Sequence, residues 1–315
     1  MKTVEEIKTI MQSLPVPENG YNLVEIDSYL WGKNAGGEIA FGFTSKNENI
    51  MPMTQSTKHL KLFINHQFKV TIGGHTSERK ISLLVLKETE AKHLDVFIRV
   101  SISMIDDLNE EKLLKHFLEI KDLFSNERRI SKTELEGMFG ELFAMYVLKI
   151  NYGIDISVYY QSEERRKFDF NLTEKKKIEI KTTLKPERVH HFLHLQLDTD
   201  RYDVRVISIM LQKDDAGMSL LELANECKDL FSTYFTIVLH LELITKNIED
   251  SELEEMKFNF EYAKDNMKIF DANKMPRLKE KDVDGVFNIE YDVDLTNTPN
   301  ESAGKFIDWI TKRTN

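Results

Sequence analysis

Two acids and a lysine on short apolar runs are the residues whose types and spacing can do chemistry. Asp169 lies within Phe168-Asp169-Phe170, and Glu179 and Lys181 lie within Ile178-Glu179-Ile180-Lys181-Thr182-Thr183. Side chains alternate between the two faces of a strand, so Ile178 and Ile180 can enter a core while Glu179 and Lys181 stand together on the opposite side. A hairpin turning around Glu174 sets Asp169 across from Glu179, with Cβ atoms about 5 Å apart. Facing carboxylates repel, and a hard divalent cation with oxygen ligands removes that repulsion. With a lysine alongside, the pattern suits metal-assisted hydrolysis of a phosphodiester. Register decides whether it works, because a slip of one residue sends the acids to opposite faces.

A third acid comes from a helix. Ser131 and Glu134 form a capping-box pattern that starts a helix running through Ile150. Leu135, Met138, Phe139, Leu142 and Tyr146 make one apolar face, and Gly137, Gly140 and Ala144 make a second side suited to close backbone packing. Such a helix is expected to be largely buried, with Glu141 between its faces. An unpaired carboxylate there is costly, and a nearby cation resolves the cost. Glu136 is the competing helix acid.

The elements around these residues alternate in type. The first 105 residues read as a mixed α+β region of unassigned role: an amphipathic helix (Val4, Ile7, Ile10, Met11, Leu14) stopped by Pro15 and Pro17, then strands at Ile39–Phe43, Leu60–Ile64, Phe68–Ile72 and Ile81–Leu86, with a turn at Gly73-Gly74. A helix is expected over Glu110–Phe124. After the capped helix come strands at Ile154–Tyr160, Lys167–Leu172, Lys177–Thr183 and Val204–Leu211, a helix from Ser219 to Phe231 and another over Tyr234–Ile244. A strand pair around Val286–Leu295 and a helix over Ala303–Ile310 complete the reading, which gives three regions, 1–105, 106–240 and 241–315.

Composition limits the possibilities. The 315 residues carry a net charge of −10, which argues against coating nucleic acid through bulk electrostatics. From Glu163 to Arg188, however, nine Lys or Arg stand against six acids, so the segment holding the two strand acids is itself basic. It can hold phosphates, or it can be the solvated ends of ordinary strands. No apolar run approaches the roughly 20 residues that span a bilayer, and the first residues lack a secretory signal, so a soluble cytoplasmic protein is expected. The single cysteine, Cys227, reads as a small buried hydrophobe. Zinc at His190, His191 and His194 is disfavoured, since His190 and His194 on one strand are about 13 Å apart.

A buried helix with a glutamate, a strand with an aspartate and a strand with Glu-x-Lys, in that order, resemble the PD-(D/E)xK phosphodiesterase superfamily, and more narrowly the PD-(D/E)xK motif proteins of prokaryotic defence and restriction loci. The resemblance rests on Gly137-Met138-Phe139-Gly140-Glu141-Leu142, on the two strand motifs, on His190 and Gln196-Leu197, and on Met275-Pro276-Arg277-Leu278 with Tyr291-Asp292-Val293-Asp294-Leu295. Phe168 stands where the superfamily's name has proline, and Met275 where the narrower family has phenylalanine; neither change removes a ligand.

The resemblance implies an α/β restriction-endonuclease-like core, a mixed central sheet flanked by helices, over residues 106–240, with the N-terminal α+β region and a C-terminal extension packed on the core. It implies a DNA endonuclease with Mg²⁺, or Mn²⁺ in its place, held by Asp169, Glu179, Glu141 and the Ile180 carbonyl. Lys181 would orient or activate water or stabilise charge on the phosphate. Gln196 would touch metal-bound water or DNA, unless it is structural, and Arg128, Arg129 and Lys185 would contact DNA. The same resemblance implies work in a defence locus with ATPase or methyltransferase partner subunits, as a homodimer. A catalytically silent DNA-binding or scaffolding subunit, and a nuclease directed at RNA, are the alternative readings.

Overall fold

The computed structural model describes residues 2–45, 50–87, 91–106, 108–123, 130–160, 167–278 and 288–312. The chain forms two compact units, Met1–Arg128 with Ser232–Leu243, and Arg129–Phe231 with Ile244–Asn315.

The first unit opens with α1 (Val4–Ser13), capped by Thr3 and Glu6 and ended at Leu14 before Pro15. Six strands follow: β1 (Tyr21–Ile26), β2 (Tyr29–Asn34), β3 (Ile39–Thr44), β4 (Met53–Ser56), β5 (Leu60–Ile72) and β6 (His75–Leu86). Their order is β1-β2-β3-β6-β5-β4, and a parallel β1–β5 pairing closes five of them into a ring with β4 outside it. One face of this sheet packs Tyr21, Leu23, Val70, Ile81 and Leu83 together. The other face, with Trp31, Phe41, Leu62 and Leu84, is covered by Ile7 and Met11 of α1, Phe97 of α2 (Ala91–Ser103), and Leu113 and Phe117 of α3 (Glu110–Leu123). The two runs expected between Leu60 and Ile72 are one strand with a bulge, where the register with β6 shifts between Phe63 and His66. Gly73 and Gly74 make the expected turn, both at positive φ.

The second unit is built around α4 (Lys132–Tyr152), which starts on the Ser131–Glu134 capping box and stops at Gly153 in the left-handed conformation. Then come β7 (Phe170–Asn171), β8 (Lys176–Thr183), β9 (Val189–Leu193), β10 (Asp203–Met210), β11 (Lys213–Ser219) and α5 (Leu220–Leu230). After α6 (Phe235–Asn247), which carries the chain between the units, follow α7 (Asp250–Glu255), β12 (Lys257–Phe258), α8 (Phe260–Asp265), β13 (Met267–Asp271), β14 (Glu290–Asp294) and α9 (Ala303–Thr311). The central sheet has the order β13-β10-β8-β7; β8 and β10 run parallel and the outer pairings are antiparallel, so the sheet is mixed. Smaller sheets pair β9 with β14 and β11 with β12.

Three expectations change. Residues Ile154–Tyr160 do not form a strand: the Asp155 carboxylate accepts the Ser157 N–H at 3.0 Å, and Ser157–Tyr159 winds into a 3-10 turn. The Lys167–Leu172 strand shrinks to Phe170–Asn171. Around Val286–Leu295, where Val286 and Phe287 lie outside the described residues, the strand is Glu290–Asp294 and its partner is β9. Among the described residues no helix is long and apolar enough to cross a membrane.

Gly140 governs how α4 meets the sheet. A Cβ there would stand 2.1 Å from Thr182 Cγ2 of β8, whereas a Cβ at Gly137 meets nothing within 4 Å. Gly140→Ala is therefore expected to cost about 1–3 kcal/mol, and Gly137→Ala to gain about 0.5–1 kcal/mol through helix propensity. Urea denaturation of the two variants checks this, and equal shifts would show that close packing at Gly140 is not required.

Candidate active site

The hairpin register follows the sequence. Phe170 pairs with Ile178 and Asn171 with Lys177, so the next step of the ladder sets Asp169 across from Glu179. Phe168 and Phe170 are buried on either side of half-buried Asp169, the alternation expected of a strand. Ile180 and Thr182 lie under Gly140 of α4, which brings half-buried Glu141 to the same end of β8.

Each acid is held by a donor. Asp169 Oδ2 accepts the Ile180 backbone N–H at 2.7 Å, and Glu141 Oε2 accepts the Tyr160 hydroxyl at 3.0 Å. Glu179 is 3% exposed; its Oε1 accepts from Gln196 Nε2 at 2.6 Å and pairs with Lys181 Nζ at 2.8 Å. Its Oε2 is buried with no hydrogen-bond partner among the described residues. Burial, then repulsion from Asp169, pushes the Glu179 carboxyl up to about 8; Lys181 opposes the rise and Glu141 adds to it. Lys181 Nζ also lies 5.1 Å from the centre of the Phe192 ring.

Whether a cation suits these residues turns on that orphaned oxygen. Among the described residues no three His, Cys, Asp or Glu side chains close to metal-ligating distance. The donor set is nonetheless hard and anionic, and one of its members buries an unsatisfied oxygen among like charges. Asp169, Glu179, Glu141 and the Ile180 carbonyl thus fit a divalent oxygen-seeking ion.

Gln196 is committed to protein groups, since its amide also donates to the Lys167 carbonyl at 3.1 Å and its Oε1 accepts from Leu193 N–H at 3.1 Å. Lys185 is exposed just beyond β8, and Arg128 and Arg129 lie outside the described residues. Cys227 is fully buried, and burial raises its thiol well above the ordinary range. The histidines diverge: His191 bridges Asp292 and Glu290 on the surface, while His190 is buried against Ser208.

Tyr160 and Arg188 went unread in the sequence. Tyr160 looked like the end of a strand, and Arg188 like one more charge in a basic run. Arg188 is buried; its guanidinium donates to the Ser208 carbonyl (2.9 Å), the Ser208 hydroxyl (2.7 Å) and the Asn266 carbonyl (2.8 Å). Because that hydroxyl accepts from Arg188, its own proton points to His190 Nε2 at 2.6 Å. Ser208 pairs with Lys181 across β10 and β8, so this network braces the strand that carries the lysine.

A family model described as "Putative PD-(D/E)XK family member, (DUF4420)" matches residues 15–296. The chain belongs to this family. The PD-(D/E)XK assignment brings a nuclease-like fold and a general use of divalent metals. No curated protein matches the chain significantly, nor does any solved structure.

Burial, with Arg188 and Lys181 nearby, lowers His190 from 6.5 to about 4. Between those values the unfolded chain binds the proton and the folded protein does not, so stability falls as pH drops through this window, by up to about 3 kcal/mol. Urea titrations at pH 6.5 and pH 4 are expected to show a larger loss for the wild type than for His190→Gln. Parallel losses would mean that His190 is not held neutral.

Proposed function

We propose that this chain is a metal-dependent endonuclease that hydrolyses phosphodiester bonds in DNA. The observation that carries the reading is the orphaned, buried Glu179 oxygen beside Asp169, Lys181 and Glu141. Asp169, Glu179, Glu141 and the Ile180 carbonyl hold Mg²⁺, with Mn²⁺ able to replace it. When bound, the ion supplies Lewis acidity and lowers the pKa of water.

The chain's own residues supply the rest. Lys181, kept at the site by Glu179 and Phe192, directs its charge toward the phosphate, where negative charge grows during attack. Gln196 holds one oxygen of Glu179, leaving the other for the ion. Tyr160 orients Glu141, and the Ile180 N–H fixes Asp169. Phe168 and Phe170 pack on both sides of Asp169 and keep its strand in place.

In this reading the protein serves a prokaryotic anti-phage or restriction system in the cytoplasm, as a homodimer, with ATPase or methyltransferase subunits bringing the DNA. The net charge of −10 supports delivery by partners, since it opposes unaided capture of a polyanion. The same charge favours the second reading, a silent DNA-binding or scaffolding subunit.

Plasmid, linear DNA and RNA, incubated with the protein and Mg²⁺ or Mn²⁺, decide between them. Wild type is expected to cut DNA, with at least about a hundredfold loss in Lys181→Ala and Asp169→Ala. Equal product from all three proteins would remove the assigned site, product from RNA alone would change the substrate, and no product together with no calorimetric Mg²⁺ binding would establish the scaffold. Mg²⁺ is also expected to raise the thermal midpoint of the wild type but not of Asp169→Asn.

A further inference from the structure

The first unit has a charge pattern of its own. Residues 51–87, which hold β4, β5 and β6, carry Lys58, Lys61, Lys69, Arg79, Lys80 and Lys87 against a single acid, Glu78. This segment is +5 in a chain of net −10, which leaves −15 for all other residues. Some cations elsewhere in the unit are paired: Lys8 lies 2.7 Å from Asp95, and Arg99 lies 3.1 Å from Glu242. Lys58, Lys61, Lys69, Arg79 and Lys80 form no ion pair among the described residues, and all but half-buried Lys61 are exposed.

Aromatic rings accompany these charges. Phe63 meets His66 at 5.3 Å and Phe68 at 5.0 Å between ring centres, and Phe68 meets Tyr21 at 5.0 Å. The bulge in β5 lines the rings up: Asn65 takes φ +53 and donates its N–H to the Ser82 hydroxyl at 3.0 Å, and the alternation of side chains resets between Phe63 and His66. Phe63 before the bulge and His66 and Phe68 after it therefore share one face. Lys61, with Nζ 4.6 Å from the Phe63 ring centre, is on that face, as is Arg79, the cross-strand partner of Phe68. Phe63, His66 and Phe68 are all partly exposed.

Phe63 and Phe68 pack in part against the cluster of Tyr21, Val70, Ile81 and Leu83, and the remainder of each ring stays exposed beside cations that have no ion pair among the described residues. Rings of this kind stack on unpaired bases, and the cations hold the intervening phosphates. In a duplex the base faces are already stacked on one another. An acidic polypeptide would use the cations but not the rings. We propose that this face of the first unit binds single-stranded nucleic acid, with bases on Phe63, His66 and Phe68 and phosphates on Lys61 and Arg79. Lys69 and Lys80, on the reverse face of the β5–β6 ribbon, strengthen the attraction at longer range.

The test measures fluorescence anisotropy of the full-length protein in EDTA with labelled 20-nucleotide oligo(dT), oligo(U) and a duplex of equal length, at two salt concentrations. Oligo(dT) or oligo(U) is expected to bind at least about tenfold more tightly than the duplex, and the difference between the two identifies DNA or RNA as the preferred strand. Lys61→Glu with Arg79→Glu is expected to weaken binding about tenfold or more and flatten its salt dependence. Phe68→Leu is expected to weaken it about fivefold or more, and Phe68→Tyr to restore it, both at unchanged thermal midpoint. Asp169→Asn is expected to bind like the wild type, which separates this face from the cleavage centre. Equal affinity for duplex, wild-type binding by Phe68→Leu, loss of binding in Asp169→Asn, or displacement by polyglutamate as effective as by oligo(dT) would each overturn the proposal.

Discussion

Much of the second unit is organised around one unfavourable interaction, the burial of the Glu179 carboxylate beside Asp169 and within the field of Glu141. A buried charge without compensation is strongly destabilising, so neighbouring elements must supply donors. Lys181 on the same strand and Gln196 beyond β9 meet one oxygen. The other oxygen has no partner among the described residues, and an unsatisfied buried oxygen is a cost to the folded state. Strain of this kind is tolerated where a ligand relieves it, and it is what separates the centre from an ordinary salt bridge on a strand.

Precision in the backbone makes this arrangement possible. Gly140 lets α4 lie directly on Ile180 and Thr182, which fixes how far Glu141 stands from β8. On the β9 side the buried Arg188 has no carboxylate among its hydrogen-bond partners in the described residues; carbonyls and the Ser208 hydroxyl meet it instead. A carboxylate there would add to the acids already gathered around Glu179. Neutral His190 completes the network and preserves that balance. At the other end of β8, Lys176 donates to the Trp309 carbonyl, the Trp309 indole donates to Asp203 at 2.7 Å, and Arg205 pairs with Glu301 at 2.7 Å, so α9 is tied to the sheet by polar anchors.

The sequence was informative where local rules and the fold agree. The capping box of α4, the alternation in β8 and the turn about Glu174 are short-range signals, and they carried Asp169, Glu179, Lys181 and Glu141 to one end of the sheet. Legibility failed where partners are remote in sequence. Asp155 captures the backbone N–H of Ser157 and turns an apolar run into a 3-10 turn. Edge strand β13 has only five residues and gains its place from β10, about sixty residues earlier. The β1–β2 hairpin turns on Asp27 and Ser28, both at positive φ, without the glycine that announces the Gly73-Gly74 turn. Tyr160 and Arg188 became visible only with their acceptors, Glu141 and Ser208.

The route of the chain bears on how the protein is made. Residues 232–243 belong to the first unit, yet they follow α4, β8 and β10 of the second. During synthesis from the N-terminus, the sheet of the first unit emerges early but lacks Val238 and Leu239, two of its buried core residues, until the strand bearing Glu179 and Lys181 has already left the ribosome. The second unit in turn needs β13 and α9 from the last fifty residues. Neither unit can finish folding as an independent N-terminal piece, so maturation of the acidic centre is coupled to translation of nearly the whole chain.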